Sequence, residues 1–281
     1  MNRLRWFGLT PLLLYLAAFT LAPVVSTLWL SVRQPGAGFS LDAYRQIASH
    51  YQFVEAVGNT CLVTAIGLAL EMSLGLALAV TLTGRRAQSR PQNWTRVLLL
   101  LPLGVPTIVA ASAMRYAFGT VGYVNEILYR LGLLTLPIDW TGSRALAILT
   151  VAVADAWKVT PLVMLILLAG LQSIPRDVYE AARMDGASRG QQFLYVTLPL
   201  LRSSITMALI VRGIDAFRIF ALPLALAGRN LPVLSTYAYV EYLEYGNAHT
   251  AAASSVILLL LILLAIGTYL RLAETSPEPW R

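Results

Sequence analysis

The sequence predicts an all-α, polytopic membrane protein with six transmembrane helices. Of its 281 residues, 57% are hydrophobic and 12% are charged, whereas about 25% of the residues in a typical soluble domain are charged. The apolar residues form six segments that reach the roughly 20 residues a helix needs to cross a bilayer. Strand-length alternation of apolar and polar residues is absent, which disfavours a membrane β-barrel.

The predicted spans lie near residues 11–32, 56–83, 97–118, 145–171, 199–227 and 250–272. The first span resembles a secretory signal peptide, because Arg3 and Arg5 precede its apolar run. We interpret it as an uncleaved span, since the run is long and no small-residue cleavage site closes it. Prolines interrupt three of the spans. In one interpretation they only bend the helices, and neighbouring helices satisfy the backbone groups that the bend frees. In the other, the bends open or close a central cavity. The prolines are Pro102, Pro106, Pro161 and Pro223.

The distribution of arginine predicts the orientation of the chain in the membrane. If both termini are cytoplasmic, twelve arginines lie in the internal segments and five in the external ones. This bias agrees with the positive-inside rule. The basic pI of about 9.8 indicates anionic lipid headgroups as a partner. No basic domain with interleaved aromatic residues indicates nucleic acid, so we expect no nucleic-acid partner.

The sequence lacks the motifs of an ATPase or of another enzyme. Its single lysine, Lys158, follows no glycine-rich turn of the kind that cradles phosphates. Nucleophile-elbow, zinc-helix and dinucleotide patterns are also missing. Cys61, His50 and His249 have no metal-ligand spacing. We therefore expect no catalytic residue, metal or cofactor in this chain.

Residues 172–198, here called the polar loop, predict two short helices between apolar spans. Pro175 fits the first turn of a helix that Ser173 could cap, and Gly186 suits the left-handed conformation that ends it. Ser188 and Gln191 predict a capping box at the start of the second helix. Small residues share one side of the first helix, which suits close approach by another protein. We interpret the loop as a docking element, and the alternative is an ordinary surface loop.

The polar loop also carries a family signature. Glu180-Ala181-Ala182, then Gly186, then Val196-x-Leu198-Pro199 resembles the EAA motif of permease subunits in bacterial binding-protein-dependent ABC importers. The flanking residues 170–175 and 197–201 are similar to the carbohydrate branch, which includes maltose, trehalose and glycerol-phosphate permeases. The resemblance runs from about residue 54 to 270 and includes Asn125, Trp140 and the segment 215–220. One departure is Ala227-Gly228-Arg229-Asn230-Leu231-Pro232, where these proteins usually have Thr-Gly-Gly-Pro.

The resemblance implies a type I importer (MetI-like) permease fold in the bacterial cytoplasmic membrane. It implies a first helix and external segment at 1–53, a permease core at 54–273 and a tail at 274–281. Implied partners are a second homologous permease subunit, two cytoplasmic subunits that bind ATP and Mg²⁺, and an extracytoplasmic solute-binding protein. The implied substrate is an oligosaccharide such as maltose or trehalose, with glycerol-3-phosphate second. The implied ATPase-coupling residues are Glu180, Ala181, Ala182, Asp185, Gly186, Leu198 and Pro199.

Charged residues within the spans offer a second candidate site, because each is costly at the bilayer centre. They are Glu71, Arg115, Asp155, Lys158, Arg212, Asp215 and Arg218. In one interpretation, Asp155 pairs with Lys158, and Arg212, Asp215 and Arg218 pair among themselves, which fixes helix packing. In the other, a substrate path is lined by Asp155, Trp157, Lys158, Asp215 and Arg218, whose polar and aromatic groups suit a sugar. We expect Glu71, between Gly67 and Gly75, to serve a helix contact. The guanidinium groups of Arg115, Arg212 and Arg218 suit the phosphate of glycerol-3-phosphate.

Two other classes of protein remain as alternatives. An ion-coupled secondary transporter would use carboxylates near the midplane, which Glu71 and Asp155 supply, but it commonly shows internal repeats that are not evident here. A membrane-embedded enzyme would need a convergent set of acid, base or metal ligands. No such set assembles from the sequence, so the ABC importer permease is the preferred prediction.

Overall fold

The computed structural model describes residues 10–34, 38–83 and 90–274, and most of them are helical. The helices are α1 Thr10–Ser31, α2 Asp42–Ser49, α3 Tyr51–Thr83, α4 Arg90–Gly104, α5 Thr107–Ala117, α6 Tyr123–Arg130, α7 Arg144–Ser173, α8 Arg176–Met184, α9 Arg189–Leu200, α10 Arg202–Phe217, α11 Ala221–Leu226, α12 Leu234–Leu243 and α13 Ala248–Glu274. Two short strands, β1 Arg33–Gln34 and β2 Gly38–Phe39, pair in antiparallel fashion.

The long helices account for the predicted spans. Four of them, α1, α3, α7 and α13, are long and apolar enough to cross a membrane. Two further spans are bent pairs: α4 meets α5 at 95°, and α9 meets α10 at 62°. The described residues therefore contain six candidate spans if each bent pair counts as one. The all-α prediction is confirmed.

Two of the predicted spans are not continuous helices. Pro106 breaks the third, because its backbone is extended (φ −54°, ψ 136°) and α5 starts only after it. The fifth, expected at 199–227, ends at Phe217 and resumes as α11. Pro223 explains this second break, since proline has no N–H to donate and its ring would clash with the carbonyl of Ile219 in a continuous helix. In the first turn of α11 that missing N–H leaves no bond unmade.

The described residues divide into two compact units. The first joins residues up to Val57 with Pro232–Leu261, and its core contains Ile47, Phe53, Ala56, Leu234, Tyr237 and Ala253. The second joins Gly58–Leu231 with residues from Ile262 onward and is organised around α7. One face of α7 packs on α5 and α11 through Val151, Ala111 and Leu222. The other packs on α3 and α10 through Leu167, Ala79 and Ala208.

Asn125 organises the segment between α5 and α7. Its buried side-chain amide donates hydrogen bonds to the carbonyls of Thr120 (3.0 Å) and Ile138 (2.8 Å). Its Oδ1 accepts bonds from the Ile138 N–H (3.2 Å) and from Trp140 Nε1 (3.0 Å). A buried amide satisfied on both sides fixes the loop conformation, since leaving one of these groups unpaired would be costly.

Helices α3 and α7 are in close contact at Gly75. A Cβ atom at this position would lie 2.7 Å from Val163 Cγ1 and 3.2 Å from the Met164 nitrogen. Two turns earlier on α3, a Cβ at Gly67 would meet only Glu71 Oε1, at 3.9 Å. Gly75 is therefore required by packing, whereas Gly67 has room for a methyl group.

We expect Gly75→Ala to destabilise the second unit by about 1–3 kcal/mol, because overpacking pushes α3 away from α7. Gly67→Ala on the same helix is the matched control and should leave stability unchanged or slightly raised. The measurement is the thermal unfolding midpoint of each purified variant in the same detergent. Equal midpoints for the two alanine variants would contradict the close approach.

Candidate functional site

The first helix of the polar loop, α8, begins directly after Pro175. Pro175 has extended backbone angles (φ −61°, ψ 141°), and so does Ile174 before it. Because a residue preceding proline disfavours the helical conformation, α7 ends at Ser173. Ser173 Oγ donates to the Gly170 carbonyl at 2.8 Å. The expectation that Ser173 caps α8 is therefore wrong: this side chain belongs to the last turn of α7.

Gly186 ends α8 in the left-handed conformation, with φ +79°. The Gly186 N–H bonds to the Arg183 carbonyl at 3.0 Å, and the Ala187 N–H bonds to the Ala182 carbonyl at 2.9 Å. These two bonds form a Schellman motif, in which a residue with a side chain would be strained at the glycine position. The predicted role of Gly186 as the helix stop is confirmed.

The second helix of the loop, α9, starts at the predicted capping box. The Ser188 N–H donates to Gln191 Oε1 at 2.8 Å, and the Gln191 N–H donates to Ser188 Oγ at 3.4 Å. Further along, the helix widens into a π-turn at Phe193–Thr197. Thr197 Oγ1 lies 3.1 Å from the Tyr179 hydroxyl. This hydrogen bond ties α9 to α8, so the two helices form one unit.

The polar loop is exposed at its tip and anchored at its base. At the tip, Glu180, Ala181, Asp185 and Gly186 are exposed; nearer the base, Ala182, Leu198 and Pro199 are half-buried. The anchoring residues Leu171, Ile174 and Leu201 are buried in the core that α7 shares with α10, and Tyr179 packs against them. The base of the loop is therefore in direct contact with the ends of α7 and α10.

The charged residues of the spans meet at Arg212 on α10. Its guanidinium is 1% exposed and binds Glu71, which is 0% exposed, through two parallel bonds of 2.7 Å. The same group donates to Asp155 Oδ2 at 2.9 Å and to Asp215 Oδ2 at 2.7 Å. We call these four residues the charged cluster. It joins α3, α7 and α10.

The pairing within the charged cluster differs in part from the sequence-based pairing. Arg212 does pair with Asp215, as expected, and Glu71 does form a contact between helices. Asp155, however, pairs with Arg212 on α10 instead of Lys158 on its own helix. Within the part of the chain that the structure describes, neither Lys158 nor Arg218 forms an ion pair. Asp155 receives a single charge-assisted bond from Arg212, whose two parallel bonds go to Glu71.

The residues predicted to line a substrate path are distributed over α7 and the end of α10. Trp157 is exposed and Lys158 half-buried on α7, and the Asp215 carboxylate and Arg218 are exposed at the end of α10. Asp215 is 70% exposed even though it bonds to Arg212. Asp155 is withdrawn, with only 12% of its side chain accessible. Four of these side chains are thus exposed or half-buried.

Sequence reasoning missed the central role of Arg212. The Glu71–Arg212 pair spans 141 positions in the chain, so no local spacing indicates it. A second missed contact, 2.7 Å between Arg144 Nε and Asn59 Oδ1, spans 85 positions. The one available signal was the low number of ionisable residues within apolar spans, which must find partners inside the protein.

Comparison with known proteins decides the family. Residues 71–273 match the model of the binding-protein-dependent transport system inner membrane component. The chain belongs to this family. It is 36% identical over 233 residues to the trehalose/maltose transport system permease protein MalF of Thermococcus litoralis, covering 80% of this chain and 77% of that one. It is 34% identical to the trehalose transport system permease protein SugA of Mycobacterium tuberculosis, covering 78% and 71%.

Solved structures show the same fold. A bacterial ABC transporter involved in the import of the acidic polysaccharide alginate contains a chain that superimposes with a TM-score of 0.85 at 21% identity, covering 98% of this chain and 96% of that one. A chain of the MetNI methionine ABC transporter superimposes with a TM-score of 0.58 at 20% identity, covering 79% and 93%. The predicted MetI-like fold and the permease function in an ABC importer are confirmed, and the ion-coupled transporter is not.

We expect Arg212→Ala to destabilise the protein by about 3–5 kcal/mol, because it leaves the Glu71 and Asp155 carboxylates buried without a counter-ion. The matched control is Arg115→Ala, since Arg115 is exposed on α5 and its loss should change stability by no more than about 0.5 kcal/mol. Thermal unfolding in detergent measures both. A midpoint for Arg212→Ala equal to that of the control would show that the charged cluster does not hold the helices together.

Proposed function

We propose that this chain is one of two transmembrane subunits of an ATP-driven carbohydrate importer and that its polar loop docks on a cytoplasmic ATPase subunit. The observation that carries the proposal is the construction of the loop. Its exposed residues Glu180, Ala181 and Asp185 lie at the end of α8, where Gly186 fixes the turn. Buried residues anchor the base of the loop in the core of the second unit. Such an element can bind a partner without losing its shape.

The coupling follows from the helices that flank the loop. Polar-loop residues Ile174 and Tyr179 pack with Leu201 at the foot of α10. When ATP closes the partner subunits, the docked loop moves, and α7 and α10 move with it as levers. Leu198 and Pro199, at the end of α9, transmit this motion across the bend to α10. ATP and Mg²⁺ bind the partner, and this chain supplies the moving pore.

The proposed substrate is a maltose- or trehalose-type oligosaccharide. Support comes from the relatives named for trehalose/maltose and trehalose transport. Glycerol-3-phosphate is the second candidate, because Arg115 and Arg218 are exposed and guanidinium binds phosphate well. Arg212 supports neither, since Nε, Nη1 and Nη2 all donate to carboxylates.

The proposed substrate path uses Trp157, Lys158, Asp215 and Arg218, with Asp155 at its edge. The Trp157 ring offers a face on which a sugar ring can stack, and Asp215 and Lys158 offer an acceptor and a donor for hydroxyl groups. Asp155 contributes mainly by holding Arg212, which in turn orients Asp215. The path would be closed by the second permease subunit.

The proposed assembly places this subunit in the cytoplasmic membrane with both termini inside. Its partners are a homologous permease, two ATP-binding subunits and an extracytoplasmic solute-binding protein. Lipid contacts the apolar exterior. Helix α1 exposes Leu14, Phe19 and Trp29, and no residue of its most hydrophobic stretch is buried within the chain. No nucleic-acid partner is proposed.

We expect Gly186→Ala to weaken ATPase attachment, because alanine at a φ of +79° is strained by about 1–2 kcal/mol. Gly190→Ala is the matched control: Gly190 lies in α9, and a Cβ there meets nothing within 4 Å. The measurements are co-purification of the ATPase subunit and uptake of labelled trehalose or maltose by cells. Retention of the ATPase by Gly186→Ala would contradict the docking, and absence of sugar uptake by the parent assembly would contradict the substrate.

We expect a cysteine reagent that cannot cross membranes to label position 143 but not position 188 in intact cells. Ser143 caps the start of α7 and Ser188 caps α9, and both are exposed. The two cysteine variants are made with Cys61 replaced by alanine, and labelling is measured before and after the cells are opened. External labelling at 188 would reverse the proposed orientation. Ser89, which the proposed orientation also places inside the cell, lies outside the described residues.

A further inference from the structure

The first unit contains a polar cavity that has no part in the function proposed above. It has a volume of about 270 Å³ and lies between α2, the start of α3, α12 and the turn that precedes α13. His50, Gln52, Tyr237, Glu241, Tyr245 and Asn247 contribute to its wall. Its volume is close to the lower limit of small-molecule sites, about 300 Å³, so it suits a ligand of a few heavy atoms or the end of a side chain.

Among the described residues that line the cavity, Glu241 is the only one with a carboxyl group, and it is 6% exposed. Its Oε2 accepts hydrogen bonds from Thr250 Oγ1 at 2.8 Å and from Asn247 Nδ2 at 3.2 Å. Both donors are neutral. Among the described residues, no lysine or arginine lines the cavity and none forms an ion pair with Glu241. A buried carboxylate without a counter-ion is unfavourable and attracts a cation.

The other residues of the cavity wall are also suited to a cation. Tyr237 and Tyr245 line the cavity, and aromatic rings attract positive charge through their ring electrons. The side-chain oxygens of Gln46 and Gln52 can accept N–H groups. Burial, together with the neighbouring Glu241 carboxylate, raises the pKa of the Tyr237 hydroxyl. This hydroxyl therefore stays protonated and adds no competing negative charge.

We propose that this cavity binds a primary ammonium group. The group belongs either to a free small amine or to a lysine side chain of a protein that docks on this face. In the predicted topology, residues 33–50 and 228–247 both lie outside the membrane, where either source has access. The proposal does not depend on the identity of the transported substrate.

Glu241 also has a structural role, which a test must separate from binding. It bonds to Thr250 and Asn247, and its backbone carbonyl accepts the Asn247 N–H at 2.8 Å. Glu241→Gln keeps one acceptor oxygen for Thr250 and Asn247, removes the charge and replaces the other carboxylate oxygen with an NH2 donor. Glu244→Gln, three residues further along and exposed, is the matched control. Tyr245→Ala removes one ring of the wall and serves as an independent variant.

The experiment is a saturation-transfer NMR titration of the full chain in lipid nanodiscs at constant ionic strength. The probes are n-butylammonium, its neutral analogue 1-butanol and Nα-acetyllysinamide. We expect n-butylammonium to bind with at least about tenfold higher affinity than 1-butanol, since one charge-assisted bond is worth a factor of this order. Glu241→Gln should remove this preference, Tyr245→Ala should weaken it, and Glu244→Gln should retain it.

Equal binding of n-butylammonium and 1-butanol to the parent protein would overturn the proposal. So would unchanged binding by both Glu241→Gln and Tyr245→Ala. Binding of Nα-acetyllysinamide as well as n-butylammonium supports the site and shows that it admits a lysine side chain. Binding of n-butylammonium alone supports the site and restricts it to free amines. If Glu241→Gln does not fold, the effect of Tyr245→Ala on n-butylammonium binding decides whether the proposal stands.

Discussion

The guanidinium of Arg212 joins three membrane helices, and the arrangement of the second unit depends on it. Its partners Glu71 and Asp155 come from α3 and α7, and both are buried with it. An ionisable side chain in the bilayer is tolerated only where protein or water compensates its charge. Each of these helices therefore has a preferred position relative to the other two. The apolar contacts of α7 with α3 and α10 then fill the space around the ion pairs.

The polar loop depends on that arrangement, because its base lies in the same core. Leu171 lies in the last turn of α7 and Ile174 directly after it, and Leu201 lies at the 62° bend between α9 and α10. Local bonds shape the tip, namely the Schellman motif at Gly186 and the capping box at Ser188. The loop is thus rigid in itself and connected to the helices that carry Asp155 and Arg212. This connection is the physical basis on which we propose coupling between an ATPase and the pore.

Family membership and chemistry give different levels of detail about function. The family match covers most of the chain and establishes an inner membrane component of a binding-protein-dependent transport system. The substrate and the assembly rest on what relatives are named for and on side chains such as Trp157 and Asp215. The cavity around Glu241 is separate from both, because it belongs to the first unit and uses none of the residues of the polar loop.

The sequence by itself determined the helical membrane class, the six spans and the local shape of the polar loop. These properties depend on apolar segments as long as the bilayer is thick and on spacings of three or four residues, as at Ser188 and Gln191 or at Gly186. Only the tertiary structure decided which of the four span prolines break a helix and which charges meet. Pro106 and Pro223 interrupt helices, whereas Pro102 and Pro161 lie inside continuous ones, because a membrane helix tolerates proline where its surroundings satisfy the freed backbone group. Asp155 pairs with Arg212 on another helix instead of Lys158 on its own, because the buried guanidinium comes within hydrogen-bond distance of Asp155 only when α7 and α10 pack together.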